Sequence, residues 1–250
     1  MICVNDIFNY LCEIAPLELQ MDFDNSGFQF GRKEAAVHKA LLALDVTGDV
    51  IEEAVKEKAE LIISHHPLLF HAIKQITDER FLTLAENRLA VISMHTNLDI
   101  AEGGVNDVLL SLLGAERDSL LEADGCGRIG HLPEAMVLTD FLQHCKNMLD
   151  AKGLRFYDAG KPVQRLAVMG GSGGSALGAA FAQGCDTYVT ADIKYDQFLA
   201  AAECGLNLID AGHFSTENPV IYELQKRLSQ AFPEVNFMVS RSHRQIISFY

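Results

Sequence analysis

At 250 residues, 49% hydrophobic and 22% charged, the chain has the composition of one large soluble domain or two small ones. Its formal charge of −14, from 34 acids against 20 Lys and Arg, argues against a general nucleic-acid surface, which needs clustered cations, and makes nucleic acid the least favoured partner. No apolar run is long enough to span a bilayer, no secretory pattern opens the chain, and the six cysteines form no CxxC, so a cytoplasmic protein with reduced thiols is expected.

Asn5–Ile14 has helical spacing, with Ile7, Leu11 and Ile14 on one face and Asn5 or Asp6 as a cap. Lys39–Val46 reads as a strand, Asp49–Lys58 as a helix, and Glu60–Ser64 as a buried strand that Pro67 stops. His65 and His66 therefore emerge where a strand ends, the edge at which open α/β sheets place their ligands. Ile73–Asn87 is expected to be mostly helical, Leu89–Met94 a strand and Val105–Leu113 a helix after Gly103-Gly104. Gly114–Pro133 is polar and glycine-punctuated and reads as a connection, and Pro133–Leu149 is helical after its first few residues.

The second half repeats the order. Arg165–Met169 reads as a strand, followed by Gly170-Gly171-Ser172-Gly173-Gly174 and a small-residue helix through Gln183. Thr187–Thr190 is a strand, Tyr195–Glu203 a helix and Leu206–Asp210 a strand. Laying LLALDV (41–46) over LAVMGG (166–171) brings ELIISHH (60–66) over DTYVTAD (186–192) with one residue of slack. His95-x3-Asp99 then falls on His213-x3-Glu217, and Asp192 on His66. The pattern implies a duplicated α/β unit, repeats 1–125 and 126–250, with a site between the copies; a chance alternation of helices and strands is the competing explanation.

Imidazole nitrogens mixed with hard carboxylate oxygens bind zinc, iron or manganese in preference to calcium. His65, His66, Asp99, His213 and Glu217 are the candidate ligands, and five donors with two carboxylates suit two divalent ions roughly 3.5–4 Å apart. Such a pair activates a bridging water, and the resulting hydroxide makes hydrolysis the natural chemistry, with Asp99 and Glu217 able to hand on protons. Each of those carboxylates also precedes a possible helix and has an N-cap alternative. His95 has a supporting, substrate-facing or structural role open to it, and Asp192 is a second candidate near the site. Lys194 and Tyr195 either meet an anion or are simply solvated, and the same choice holds for the basic cluster Arg241, His243 and Arg244, whose plain reading is a solvated strand. The glycine run lacks both GxxxxGK[ST] and GxGxxG spacing, so a tight turn explains it better than a phosphate cradle. No GxSxG elbow occurs, which disfavours covalent serine catalysis.

The segments DFDNSGFQFG (22–31), LLALDVTGDVIEEAVKEKAELIISHHPLLF (41–70), HTNLDIAEGGVNDVL (95–109), GGSGGSALGAAFAQGCDTYVTADIKYD (170–196) and DAGHFSTENP (210–219) resemble the NIF-three-like family, often labelled GTP cyclohydrolase type 2-like. The resemblance runs almost end to end. It implies two intertwined α/β repeats with mixed sheets, a dinuclear metal site held by the same five residues, and a toroidal homohexamer. The chain departs from the family in having no Trp near Phe23, in Asp196 where the family pattern ends DIKYH, and in lacking the extra middle domain of longer members. Residues and resemblance together lead to a cytoplasmic metal-dependent hydrolase acting on a small nucleotide-like or phosphorylated substrate. The rival is a non-catalytic metal-binding oligomer, a metallochaperone or interaction platform.

Overall fold

A computed structural model describes all residues, Met1–Tyr250. In chain order the elements are α1 (Val4–Ile14), β1 (Gly27–Phe30), β2 (Lys39–Ala43), α2 (Gly48–Glu57), β3 (Leu61–Ser64), α3 (Glu79–Glu86), β4 (Ala90–Ser93) and α4 (Thr96–Ile100). There follow α5 (Val105–Leu112), β5 (Glu116–Leu120), β6 (Arg128–Met136), α6 (Leu138–Met148), β7 (Arg155–Tyr157), β8 (Val163–Val168), α7 (Leu177–Ala182), β9 (Thr187–Thr190) and α8 (Tyr195–Cys204). The chain closes with β10 (Asn207–Asp210), α9 (His213–Glu217), α10 (Pro219–Ala231) and β11 (Asn236–Val239).

Two units result, Met1–Glu102 with Ile221–Arg244, and Gly103–Val220 with Gln245–Tyr250. The first holds a five-stranded sheet in the order β1-β4-β3-β2-β11, the second a six-stranded sheet in the order β5-β6-β8-β9-β10-β7. In the first, β2, β3, β4 and β11 run parallel and β1 is antiparallel at the edge beside β4. In the second, β8, β9 and β10 run parallel and β7 is antiparallel at the edge beside β10. Both units therefore contain one path, helix, edge strand, strand, helix, strand, helix, strand, and that path closes in a five-residue helix, α4 or α9. Chance alternation does not reproduce an antiparallel edge strand at the same place twice, so the duplicated, interleaved α/β plan holds.

The boundary expected at residue 125 falls inside the β5–β6 hairpin, because Gly114–Pro133 is not a linker: its strands pair antiparallel in the second sheet. Ile73–Asn87 is helical only from Glu79, where the Asp78 side chain accepts the Arg80 N–H as an N-cap.

The central strands are buried along their whole length, as parallel strands covered on both faces must be. Leu41, Ile62 and Val91 pack against Val50, Ile51 and Ala54 of α2 and Phe81 and Leu84 of α3. Leu166, Val168, Val189 and Ile209 pack against Leu109 and Leu110 of α5 and Phe141 and Cys145 of α6. Each such large apolar side chain stabilises the fold by about 1.5–3 kcal/mol relative to exposure. All six cysteines are free thiols, and no helix is long and apolar enough to cross a membrane.

Candidate metal centre

In the first unit the backbone ladder continues past β3: the His65 N–H donates to Ala43 O (3.3 Å) and the His66 N–H to Leu44 O (2.9 Å). Both imidazoles thus leave from hydrogen-bonded backbone. His65 is fully buried, and its Nδ1 meets the Met94 carbonyl at 2.8 Å. A neutral ring with its proton on Nδ1 satisfies that contact and turns the Nε2 lone pair to the other side. His66 makes the same use of its ring, with Nδ1 2.7 Å from Asp45 Oδ1. His95, the N-cap residue of α4, sets Nδ1 2.8 Å from Asp24 Oδ1. The three rings lie 5.0, 5.2 and 5.5 Å apart between centroids, and one nitrogen of each falls within 4.8 Å of the others, close enough to hold a metal ion. His65 Nε2 also lies 3.6 Å from Asp99 Oδ1.

In the second unit α9 projects His213 and Glu217 one turn apart, with His213 Nε2 3.0 Å from Glu217 Oε2. His213 Nδ1 is 2.7 Å from Asp192 Oδ2. Asp192 has a left-handed backbone (φ 54°), a conformation that aspartate tolerates better than most residues. Four imidazoles in the two units share one habit: Nδ1 is committed to a carbonyl or carboxylate. Ligating histidines are oriented in this way, and the partner also raises the basicity of the other nitrogen. This donor chemistry, imidazole nitrogens with nearby carboxylates, fits zinc, iron or manganese.

The N-cap alternative for Asp99 and Glu217 fails: α5, the next long helix after Asp99, is capped by Gly104, and α10 starts at Pro219, which puts Asn218 and not Glu217 at the capping position. Lys194, exposed at the N-cap position of α8, donates its backbone N–H to Gln197 Oε1 and has no ion pair on its ammonium. The phosphate-cradle reading of the glycine run also fails. Gly170 N–H donates to Asn106 Oδ1 (2.9 Å), Gly171 N–H to Thr216 Oγ1 (3.0 Å) and Gly173 N–H to Thr190 Oγ1 (3.0 Å), so these donors are occupied by the protein. The run serves Glu217 instead. Gly171 has φ 65°, and a Cβ there would collide with Glu217 Oε1 and lie 3.3 Å from His213 Cε1. A glycine is what lets the carboxylate approach the turn.

Two residues carry weight that sequence reasoning did not assign, Asp24 and Asp45, and a third, His243, takes a place other than the anion patch or solvated strand expected of it. Asp24 is held below the usual carboxylate range. Burial raises it, but hydrogen bonds from His95, Thr96 and Ser26, with the charge of His95, outweigh the burial. His243 accepts the Leu44 N–H at 3.2 Å through Nε2; burial, with some repulsion from His66, lowers its pKa. The C-terminal segment around it is not a strand: Ser240 Oγ and the Arg241 and Ser242 N–H groups all donate to Glu53. The only hint of Asp45 in the sequence was its place at the end of β2, next to the edge where the histidines emerge.

Residues 2–245 match the family model described as Duf34/NIF3 (NGG1p interacting factor 3). A Clostridium perfringens protein named GTP cyclohydrolase 1 type 2 homolog is 34% identical, over 98% of this chain and 99% of its own. A Bacillus cereus protein described as related to NIF3 superposes with a TM-score of 0.92 at 25% identity, covering 100% of this chain and 99% of its own. The structure titled reduced HcgD, from Methanocaldococcus jannaschii, gives a TM-score of 0.85 at 29% identity over 95% of this chain and 97% of its own. The chain belongs to the Duf34/NIF3 family.

Proposed function

We propose that this Duf34/NIF3 protein is a dinuclear metal-dependent hydrolase acting on a small nucleotide-like or phosphorylated substrate, with His65, His66, Asp99, His213 and Glu217 as ligands of one metal pair. The observation that carries the reading is the convergence of His65, His66 and His95, one nitrogen of each within 4.8 Å of the others while every Nδ1 is committed to a carbonyl or carboxylate.

Zinc, iron or manganese ions held there would lower the pKa of a water and polarise the bond under attack. The protein's share of the work lies in its own groups. Met94 O, Asp45, Asp24 and Asp192 fix the four imidazoles in tautomer and direction. Glu217, 3% exposed, and Asp99 offer carboxylate oxygens that take up a proton and return it to the leaving group. His95 acts beside the ligands, as a supporting or substrate-facing group. The name of the Clostridium relative makes GTP the first nucleotide to try. Family resemblance further supports a homohexamer, which sedimentation analysis tests directly, and a cytoplasmic location, which cell fractionation tests.

The decisive experiment loads the protein with Mn, Fe or Zn in turn and screens phosphoesters, nucleotides and cyclic amides. Turnover that requires metal and is lost in Glu217→Gln is the expected result. Metal exchange without turnover, together with a stably co-purifying partner, would replace the enzyme with a metallochaperone or interaction platform.

A further inference from the structure

The first unit exposes two large aromatic rings next to its histidine cluster, Phe23 at 63% and Phe70 at 40%. Single exposed apolar side chains need no explanation. These two are a pair, and the chain around them is stitched in place. The Asp24 carboxylate accepts from Thr96 N–H (3.0 Å), Thr96 Oγ1 (2.5 Å) and Ser26 Oγ (2.8 Å) while pairing with His95. Asn25 Nδ2 donates to Leu69 O (2.6 Å) and Leu69 N–H to Gln29 Oε1 (3.1 Å), which fastens the segment carrying Phe70 to the segment carrying Phe23. Rigid presentation of exposed aromatic surface favours a ligand over solvation, because the ordering cost is met before binding.

We propose that Phe23 and Phe70 form a ring-stacking subsite beside the His65–His66–His95 cluster, taking a planar heteroaromatic portion of the substrate. The Phe23 and Phe70 centroids are 6.3 Å apart with planes tilted 56°, too close and too tilted for a guest to be sandwiched between them. A guest ring therefore stacks on one face and meets the other ring's edge, a favoured aromatic arrangement. Phe70 is 6.0 Å from His95, which is 5.2 Å from His65 and 5.5 Å from His66, so a ring seated there lies within reach of groups around the metals. The subsite rests on the hydrolase reading for its substrate but adds a recognition element that the metal ligands do not contain.

The test uses the full-length manganese-loaded protein, with guanosine 5′-monophosphate and ribose 5-phosphate as probes in calorimetric titrations. They share a phosphate and a sugar and differ in the base. Wild type should bind the nucleotide about tenfold more tightly than the sugar phosphate, the order of one base–aromatic stack. Phe70→Ala and Phe23→Ala should abolish most of that ratio while leaving ribose 5-phosphate affinity unchanged, and Phe23→Trp should restore or increase it. Equal affinity of wild type for the two probes, or a ratio that survives both alanine variants, overturns the subsite. So does a change in sedimentation coefficient in Phe23→Ala with the ratio intact, which would assign the rings to contact between copies of the chain. Metal content measured on the same samples keeps the two readings apart: wild type that takes up no metal sinks the hydrolase proposal, whereas metal-replete protein without ring discrimination sinks only the subsite.

Discussion

The two units run the same course and differ where their middle strands end. β3 finishes in Ser64-His65-His66, whereas β9 finishes in Thr190-Ala191-Asp192. At that position the first unit offers imidazoles, and the second offers a carboxylate that supports its own His213. One register further, both units place a short helix bearing an acid, Asp99 in α4 and Glu217 in α9. Topology has thus dictated where polar groups emerge, while the residue type at each point has been divided between donor and support. The histidine is enclosed more fully in the first unit, His65 being completely buried and the His213 side chain 35% exposed, whereas the acids reverse that order, Asp99 at 14% and Glu217 at 4%.

That asymmetry can be broken by substitution. His65→Ala should abolish binding of at least one metal equivalent and also destabilise the metal-free fold by about 2–3 kcal/mol, through a cavity and the orphaned Met94 carbonyl. His213→Ala should lose metal with the metal-free melting temperature nearly unchanged. Metal analysis and thermal melts on both variants decide it, and full metal content in His213→Ala would remove the second unit from the centre. Next in size, Asp45→Ala and Asp192→Ala should each weaken metal binding by about 10–100-fold in competition with a chelating dye, one through His66 and the other through His213. Equal affinities in both variants and wild type would make these contacts ornamental.

A finer cut contrasts two glycines of the second unit. Gly171→Ala should cost about 1–3 kcal/mol in denaturant melts and displace Glu217, given its left-handed backbone. Gly178→Ala, in α7 with open space around it, should be neutral or stabilising by about 0.5–1 kcal/mol.

The smallest effect is one of pH, measured on metal-free protein. The Asp24 carboxyl titrates lower in the folded chain than in the unfolded one. Its stabilisation is therefore present above about pH 4, the unfolded value, and is lost as pH falls toward the folded value. Asp24→Asn should lower stability at pH 7 and flatten its decline between about pH 4 and pH 2. An unchanged slope would mean that other acids govern that limb.

The placement of His65, His66, Asp99, His213 and Glu217 just past strand ends was legible from the sequence because the strands before them are mostly apolar and wholly buried. Of the groups that hold them, only Asp192 was signalled, by its place matching His66 in the repeat. Asp45 and Asp24 lie 21 and 71 residues from the rings they hold, and only sheet pairing brings them near. The edge strands β1 and β7 gave no signal because they are only partly buried or exposed, so no continuous apolar run marks them as one marks the equally short central strands. β5, Glu-Arg-Asp-Ser-Leu, is almost wholly exposed and lacks the alternation that marks a strand, so its hairpin passed for a linker. α10 was signalled only as a possible helix after Glu217, and Pro219 stands at its first position, where proline starts helices.

β11 pairs in parallel with β2, matching Asn236 with Lys39 and Val239 with Leu42. A ribosome making this protein has thus finished Met1–Glu102 long before the strand that covers β2 exists. At ordinary elongation rates the delay is on the order of ten seconds. Throughout it the apolar edge Ala40-Leu41-Leu42 stands open to any extended segment that arrives first. Interleaving the units therefore makes the first half of the chain dependent on the last for its solubility during synthesis, and the nascent chain is where chaperones would be needed most.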